Sequence, residues 1–128
     1  MKEFVLLFRM DILTKEKHPT SEQMKIYMEQ WMEWINDISV KGQLANGGNH
    51  FLPTGKLIKG RDEIIDRPYV ANEESVAGYI IILAKDLNDA VLIGKGCPIL
   101  QGEGTSVEVR ETATPESMES IERSVPTR

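Results

Sequence analysis

Residues 76–84 read Val76-Ala77-Gly78-Tyr79-Ile80-Ile81-Ile82-Leu83-Ala84, a short apolar run rich in β-branched and aromatic side chains. Its length and composition predict a β-strand rather than a helix. A strand with one face on a core and the other in water alternates apolar and polar residues, and this run does not. Phe4-Val5-Leu6-Leu7-Phe8, near the start of the chain, shows the same lack of alternation. Both runs therefore predict strands in the middle of a sheet that is covered on its two faces.

Working outward, Asp86 can cap a short helix through Leu87, Ala90, Val91 and Ile93, which Gly94 would end. A Cys-Pro and Gly-rich loop follows. Ser106 to Glu111 (SVEVRE) then alternates apolar and charged residues, as a half-buried strand does. On the other side, Thr20 and Gln23 have the spacing of a capping box. Met24, Tyr27, Met28, Trp31, Trp34, Ile35 and Ile38 recur at three- and four-residue steps, predicting one amphipathic helix that ends near Val40 with Gly42 as its stop. Gln43 to Asn46 reads as a second strand, with the glycine-rich stretch 47–56 (GGNHFLPTGK) beginning where it ends. Lys56 to Lys59 is expected to be short and extended, and Asp66-Arg67-Pro68-Tyr69 to turn.

The order is strand-helix-strand, an insert, then strand-helix-strand. This predicts an α+β fold: a ferredoxin-like βαββαβ protomer, with both helices on one face of an antiparallel four-stranded sheet. The second apolar face then needs a cover. A second copy, packed sheet to sheet in a closed α+β barrel, would supply it through isologous contacts; the insert 51–75 folding across the sheet is the alternative. Residues 1–113 would form this domain. Residues 114–128 are a polar tail in which Thr114-Pro115 can start a helix carrying Met118, Ile121 and Val125, either docked or disordered.

Composition narrows the function classes. Of 128 residues, 41% are hydrophobic and 27% charged, with a net charge of -5. Lys and Arg are scattered, whereas nucleic-acid binding rests on a basic face that neutralises phosphates; nucleic acid and anionic membrane are not expected partners. No apolar run approaches the roughly 20 residues that span a bilayer. The first residues lack the pattern of a signal peptide. The one cysteine, Cys97, cannot form an internal disulfide, which fits a reducing, cytoplasmic setting.

Few residues are candidates for chemistry. The Gly55-Lys56 pair suggests a phosphate loop, but the first glycine of that motif would fall at His50 and its hydroxyl at Leu57, so the register fails. His50 and His18 are the two histidines, and they alone carry an unperturbed pKa near neutrality. His50 lies where a strand leaves the sheet; it is either an acid–base group paired with Asp66 or Asp62, or a structural cap. His18, before a proline in a polar loop, reads as solvated. Metal sites need three or four converging ligands, and no such spacing occurs. Cys97 reads as a small buried thiol, reactive only beside a base. Trp31 and Trp34 read as core or as the wall of an apolar cavity. Arg9 and Arg110 could meet an anionic ligand, or pair with Glu108 or Glu111. No cofactor and no metal are assigned.

The segments KEFVLLFR, SEQM with its two tryptophans, GGNHFLPTGK, DRPYVANEESVAGYIIILA and KGCPILQGEGTSVEVRE together resemble the YCII-related family, in particular its DGPF-domain branch. The resemblance runs over about residues 2–111. It implies a dimeric α+β barrel with a ferredoxin-like protomer and little assigned chemistry; some members accompany sigma factors and some relatives handle small aromatic-derived lactones. In the motif that names the branch, Asp66 and Pro68 match, while Arg67 replaces the glycine and Tyr69 the phenylalanine. Shorter relatives carry a histidine in the first helix where this chain has Trp31. Any acid–base work then falls to His50.

The combined expectation is a homodimer with a pocket between sheet and helices for a small, aromatic or anionic ligand. His50 and Asp66 are the catalytic candidates, and Arg9, Trp31 and Tyr69 the ligand-binding ones. The rival expectation is a non-catalytic accessory or interaction module, for example in transcription regulation.

Overall fold

A computed structural model describes residues 1–14 and 20–124, with side chains through residue 119. In chain order the elements are β1 (Lys2–Met10), α1 (Ser21–Val40), β2 (Leu44–His50), β3 (Leu57–Lys59), β4 (Glu63–Ile65), β5 (Ser75–Ala84), α2 (Leu87–Gly94), β6 (Ser106–Glu111) and α3 (Pro115–Ser124). A 3-10 turn, Pro98–Gln101, precedes β6. The main sheet has four strands in the order β2-β5-β1-β6, every neighbouring pair antiparallel. That order and the helix placement make the ferredoxin-like α+β arrangement predicted from the apolar runs.

The two non-alternating strands are the two central ones. Phe4, Leu6 and Phe8 of β1 and Ile80 and Ile82 of β5 point toward the helices and are at most 1% exposed. Trp31 and Ile38 of α1, Ala90 of α2, Cys97 and Ile99 close the same core. Burying a side chain of the Leu, Ile or Phe class contributes roughly 1.5–3 kcal/mol, so this layer dominates the stability. Edge-on ring contacts knit α1 to β1: the Phe8 and Trp31 centroids lie 4.7 Å apart, and those of Trp31 and Trp34 5.3 Å. The Trp34 indole N–H donates to the Ile93 carbonyl at 3.3 Å, tying α1 to α2.

The caps follow the sequence signals. At the start of α1 the Gln23 backbone N–H donates to the Thr20 hydroxyl, and the Thr20 N–H to the Gln23 side chain, closing the capping box. Gly42 leaves the helix in the left-handed region at φ 72°. The Asp86 carboxylate caps α2 by accepting from the Asp89 N–H. Thr114 caps α3 through the Ser117 N–H.

Two expectations are corrected. First, β2 does not stop at Asn46. It runs through the glycine pair to His50, keeping its pairing with β5 through register shifts between Leu44 and Asn46 and between Asn46 and Asn49. Gly48 makes this possible: its φ is 62°, and a Cβ there would collide with the Tyr79 carbonyl. Across the ladder, a Cβ on Gly78 would come within 2.5 Å of the Asn49 carbonyl. Only glycine lets the two backbones approach this closely. Second, the insert holds two strands instead of one. β3 and β4 pair antiparallel about Gly60 as a separate two-stranded sheet, with Ile58 opposite Ile64.

Candidate functional site

A cavity of about 730 Å³ opens between the sheet and α1, within the roughly 300–1,000 Å³ range of small-molecule sites. Five stretches distant in sequence build it: the end of β1, the first turns of α1, the exit of β2, Ala77 of β5, and the loop 98–105 after α2. The α1 stripe supplies Met24, Tyr27, Met28 and Trp31, side chains three and four residues apart and therefore on one face. Phe8 and Ala77 form its floor, and Phe51 stands at the exit of β2. Polar groups reach the cavity from Asp11, Gln23, Gln101 and Thr105.

His50 is part of this wall. The β2 register sets it opposite Gly78, and its ring packs against Trp31 with centroids 4.8 Å apart and planes inclined by 59°. The Trp31 indole shields one side of the imidazole, while the residue keeps solvent-exposed surface. Partial burial lowers its pKa below the ordinary histidine value, because desolvation disfavours the imidazolium. Near neutral pH the ring is therefore neutral, with one nitrogen free to accept a proton. Burial also holds the Tyr27 phenol far above its ordinary pKa, with the neighbouring Cys97 thiol adding to the effect, so Tyr27 stays a neutral hydroxyl.

Of the other residues that the sequence singles out, Trp31 shares the cavity with His50, and Arg9, Asp66 and Tyr69 are not among its lining residues. Arg9 alternates to the opposite face of β1 and donates to the Glu108 carboxylate at 2.7 Å. Arg110 reaches the other Glu108 oxygen at 3.3 Å. These guanidinium contacts, that of Arg9 foremost, hold the Glu108 carboxyl below its usual range. Asp66 sits on the insert and accepts from Lys56 at 2.8 Å, with 84% of its side chain exposed. Tyr69 is 58% exposed, and its carbonyl accepts from the Ser75 hydroxyl. His18 lies outside the described residues.

Cys97 is buried at 3% exposure. Burial pushes its pKa up to about 12, against a smaller opposing pull from the Ile99 backbone. It is a protonated core thiol, without the thiolate character that a nucleophile needs. Among the described residues no group of three or more His, Cys, Asp and Glu side chains is placed to hold a metal ion. No helix among them is long and apolar enough to cross a membrane.

The residue that sequence reasoning missed is Asp11. It is 2% exposed, lines the cavity just past β1, and its Oδ1 accepts from the backbone N–H groups of Leu13 and Thr14 at 2.8 and 2.9 Å. The available signal was an acidic residue immediately after the last strand position, in Arg9-Met10-Asp11, where the chain leaves the sheet. A buried carboxylate at such a point is rare unless it is held by hydrogen bonds.

None of the curated proteins compared with the chain matches it. The family model of the YCII-related domain matches residues 9–113, which take in β1 from Arg9 onward, every cavity-lining residue except Phe8, and β6. The antiparallel sheet, the helix layer and this match agree, and the chain belongs to the YCII-related family.

Proposed function

We propose that this protein is a homodimer that binds a small, aromatic ligand in the cavity of each protomer and acts on it through His50 as an acid–base group. The observation that carries the reading is the position of His50: a neutral imidazole, seated against Trp31, at the wall of a cavity of about 730 Å³. A base that is unprotonated at working pH and faces an apolar pocket suits proton abstraction next to a carbonyl, as in isomerase or lyase chemistry. Asp11, a buried carboxylate, lines the same cavity. The resemblance to the DGPF branch, with its dimeric barrels, supports the same picture.

The dimer reading is supported by the face of the sheet that turns away from the helices. Val5 and Leu7 of β1 stand opposite Ile81 and Tyr79 of β5 on that face, with Glu3 opposite Leu83 beyond them. A second copy applied to this face would remove its apolar side chains from water, with the Glu108 carboxylate at its border held between Arg9 and Arg110. The single buried cysteine fits a cytoplasmic location.

The test of the chemistry is deuterium exchange from heavy water into a panel of small aromatic lactones and ketones, followed by proton NMR. The wild-type chain should catalyse exchange at an acidic carbon, and His50→Ala should abolish it while remaining folded; an unchanged rate in His50→Ala removes the role. Size-exclusion chromatography with light scattering tests the assembly, and a clean monomer sinks that half of the reading.

One observation favours a second reading, an accessory module that docks a partner protein. Ile58 and Ile64 form a cross-strand pair on the insert and are 66% and 63% exposed. In that case His50→Ala is silent and Ile64→Lys weakens partner capture.

A further inference from the structure

The glycine-rich part of β2 holds a chemically reactive pair. Of the five asparagines in the chain, Asn46 alone is followed by glycine; Asn36, Asn49, Asn72 and Asn88 each precede a residue with a side chain. We infer that Asn46-Gly47 is a self-modification site: the Gly47 backbone nitrogen closes on the Asn46 side-chain amide, and the isoaspartyl product moves His50 off Trp31. The reaction needs only water, with no ligand and no second copy, so it is independent of the acid–base role proposed for His50.

Three observations meet at this pair. Asn46 and Gly47 are both exposed, and a Cβ on Gly47 would meet nothing within 4 Å, so the attacking nitrogen is uncrowded. Gly47 and Gly48 fall between Asn46 and Asn49, the pairing residues on either side of the second register shift, and so outside the regular ladder. The Asn46 Oδ1 accepts from the Gly48 N–H at 2.8 Å. Hydroxide takes the Gly47 N–H proton, and the nitrogen attacks the Asn46 Cγ. Negative charge then develops on Oδ1, where the Gly48 N–H already donates, as in an oxyanion hole. The new N–C bond closes a succinimide as the amide C–N bond breaks, and ammonia leaves carrying a proton from water. Water opens the ring. Cleavage at the side-chain carbonyl gives aspartate; cleavage at the main-chain carbonyl gives isoaspartate, whose backbone is longer by a methylene.

β2 has no room for that methylene beside β5. A Cβ on Gly48 would already collide with the Tyr79 carbonyl, and one on Gly78 would crowd the Asn49 carbonyl. The added length is passed on to His50, whose ring lies 4.8 Å from that of Trp31 between centroids. Ring contacts depend on such spacing.

The experiment ages the full chain at mildly alkaline pH and follows it by peptide-mapping mass spectrometry, with an isoaspartyl methyltransferase assay for the isomerised product. Asn46 should convert about tenfold faster than the other asparagines, the effect of a barrier lower by about 1.4 kcal/mol. Gly47→Ala, which has space for its methyl group, should stay folded and slow conversion at Asn46 several-fold. In proton NMR the isolated isoaspartyl form should lose the ring-current shift that Trp31 imposes on the His50 ring protons. Asn46→Asp, which adds the charge without the methylene, should keep that shift. Conversion of Asn46 no faster than that of the other asparagines overturns the site. An isoaspartyl form that keeps the shift, or an Asn46→Asp variant that loses it, overturns the lengthened backbone as the cause of His50 displacement.

Discussion

The two faces of the main sheet are made by the same strands from nearly the same residue types, yet they have different fates. On one, Phe4, Leu6, Phe8, Ile80 and Ile82 vanish beneath the helices. On the other, Val5, Leu7, Tyr79, Ile81 and Leu83 are only half-buried, with the Arg9, Glu108 and Arg110 charges beside them. Composition cannot tell these faces apart. What separates them is the element laid on top: α1 and α2 cover one, while the strands of the insert form a two-stranded sheet of their own. The contrast shows that an apolar strand pattern alone does not specify what is laid on each face of a sheet.

The contrast can be broken or sharpened by substitution. The largest effect should come from the covered face: Phe8→Ala removes a ring packed on Trp31 and should cost about 3–5 kcal/mol in urea unfolding. A loss below about 1 kcal/mol would mean that the helix-covered face is not the stability-determining one. Next comes Ile81→Lys on the open face. If a second copy is its cover, the variant should run as a folded monomer by light scattering, a loss of about 2 kcal/mol or more of association energy. A dimer unaffected by Ile81→Lys moves the interface elsewhere.

The third effect is smaller and depends on pH. The folded pKa of His50 lies below its unfolded value of 6.5. The unfolded chain therefore binds more protons once pH falls through about 6.5, and stability declines from that point downward. Above it the contribution is constant. His50→Asn should flatten this part of the decline, read as the difference in urea midpoint between wild type and variant across mildly acidic pH. Parallel curves for the two proteins would assign the decline to other groups. Smallest of all is Arg9→Gln, which opens a surface ion pair and should cost no more than about 1 kcal/mol, less in high salt.

Much of the fold could be read from sequence because its signals are local. Thr20 with Gln23, Asp86 with its helix, and Ser106–Glu111 with its alternation each carry their meaning within a few residues, and each stands where it was expected. The end of β2 is not legible locally because a glycine pair reads as a turn in isolation. Its pairing past Asn46 depends on Tyr79 and Gly78, some 30 residues away in sequence. The site shows the same division. Helical spacing marks Trp31 as core or cavity wall, and its place at a strand exit marks His50. Asp66 gave no sign that Lys56 on the facing arm of the insert would take its carboxylate. Arg9 was legible as half of an ion pair with Glu108, but whether that pair lay inside the cavity or behind the sheet depends on strand parity and helix placement together.

That parity has a further consequence for His50. β2 slips by one residue against β5 twice, before Asn46 and again before Asn49. Each slip alone would turn every later side chain to the other side of the sheet. Both place an extra residue on β2 and add to a two-residue shift, so Leu44 and His50 fall on the same side, opposite Ile82 and Gly78. The segment between them behaves as a counted spacer. An exposed position such as Ala45 can change its chemistry at little cost, but deleting or inserting one residue would carry the imidazole from the cavity to the opposite surface. Sequence length here, more than sequence identity, keeps the histidine where a ligand could meet it.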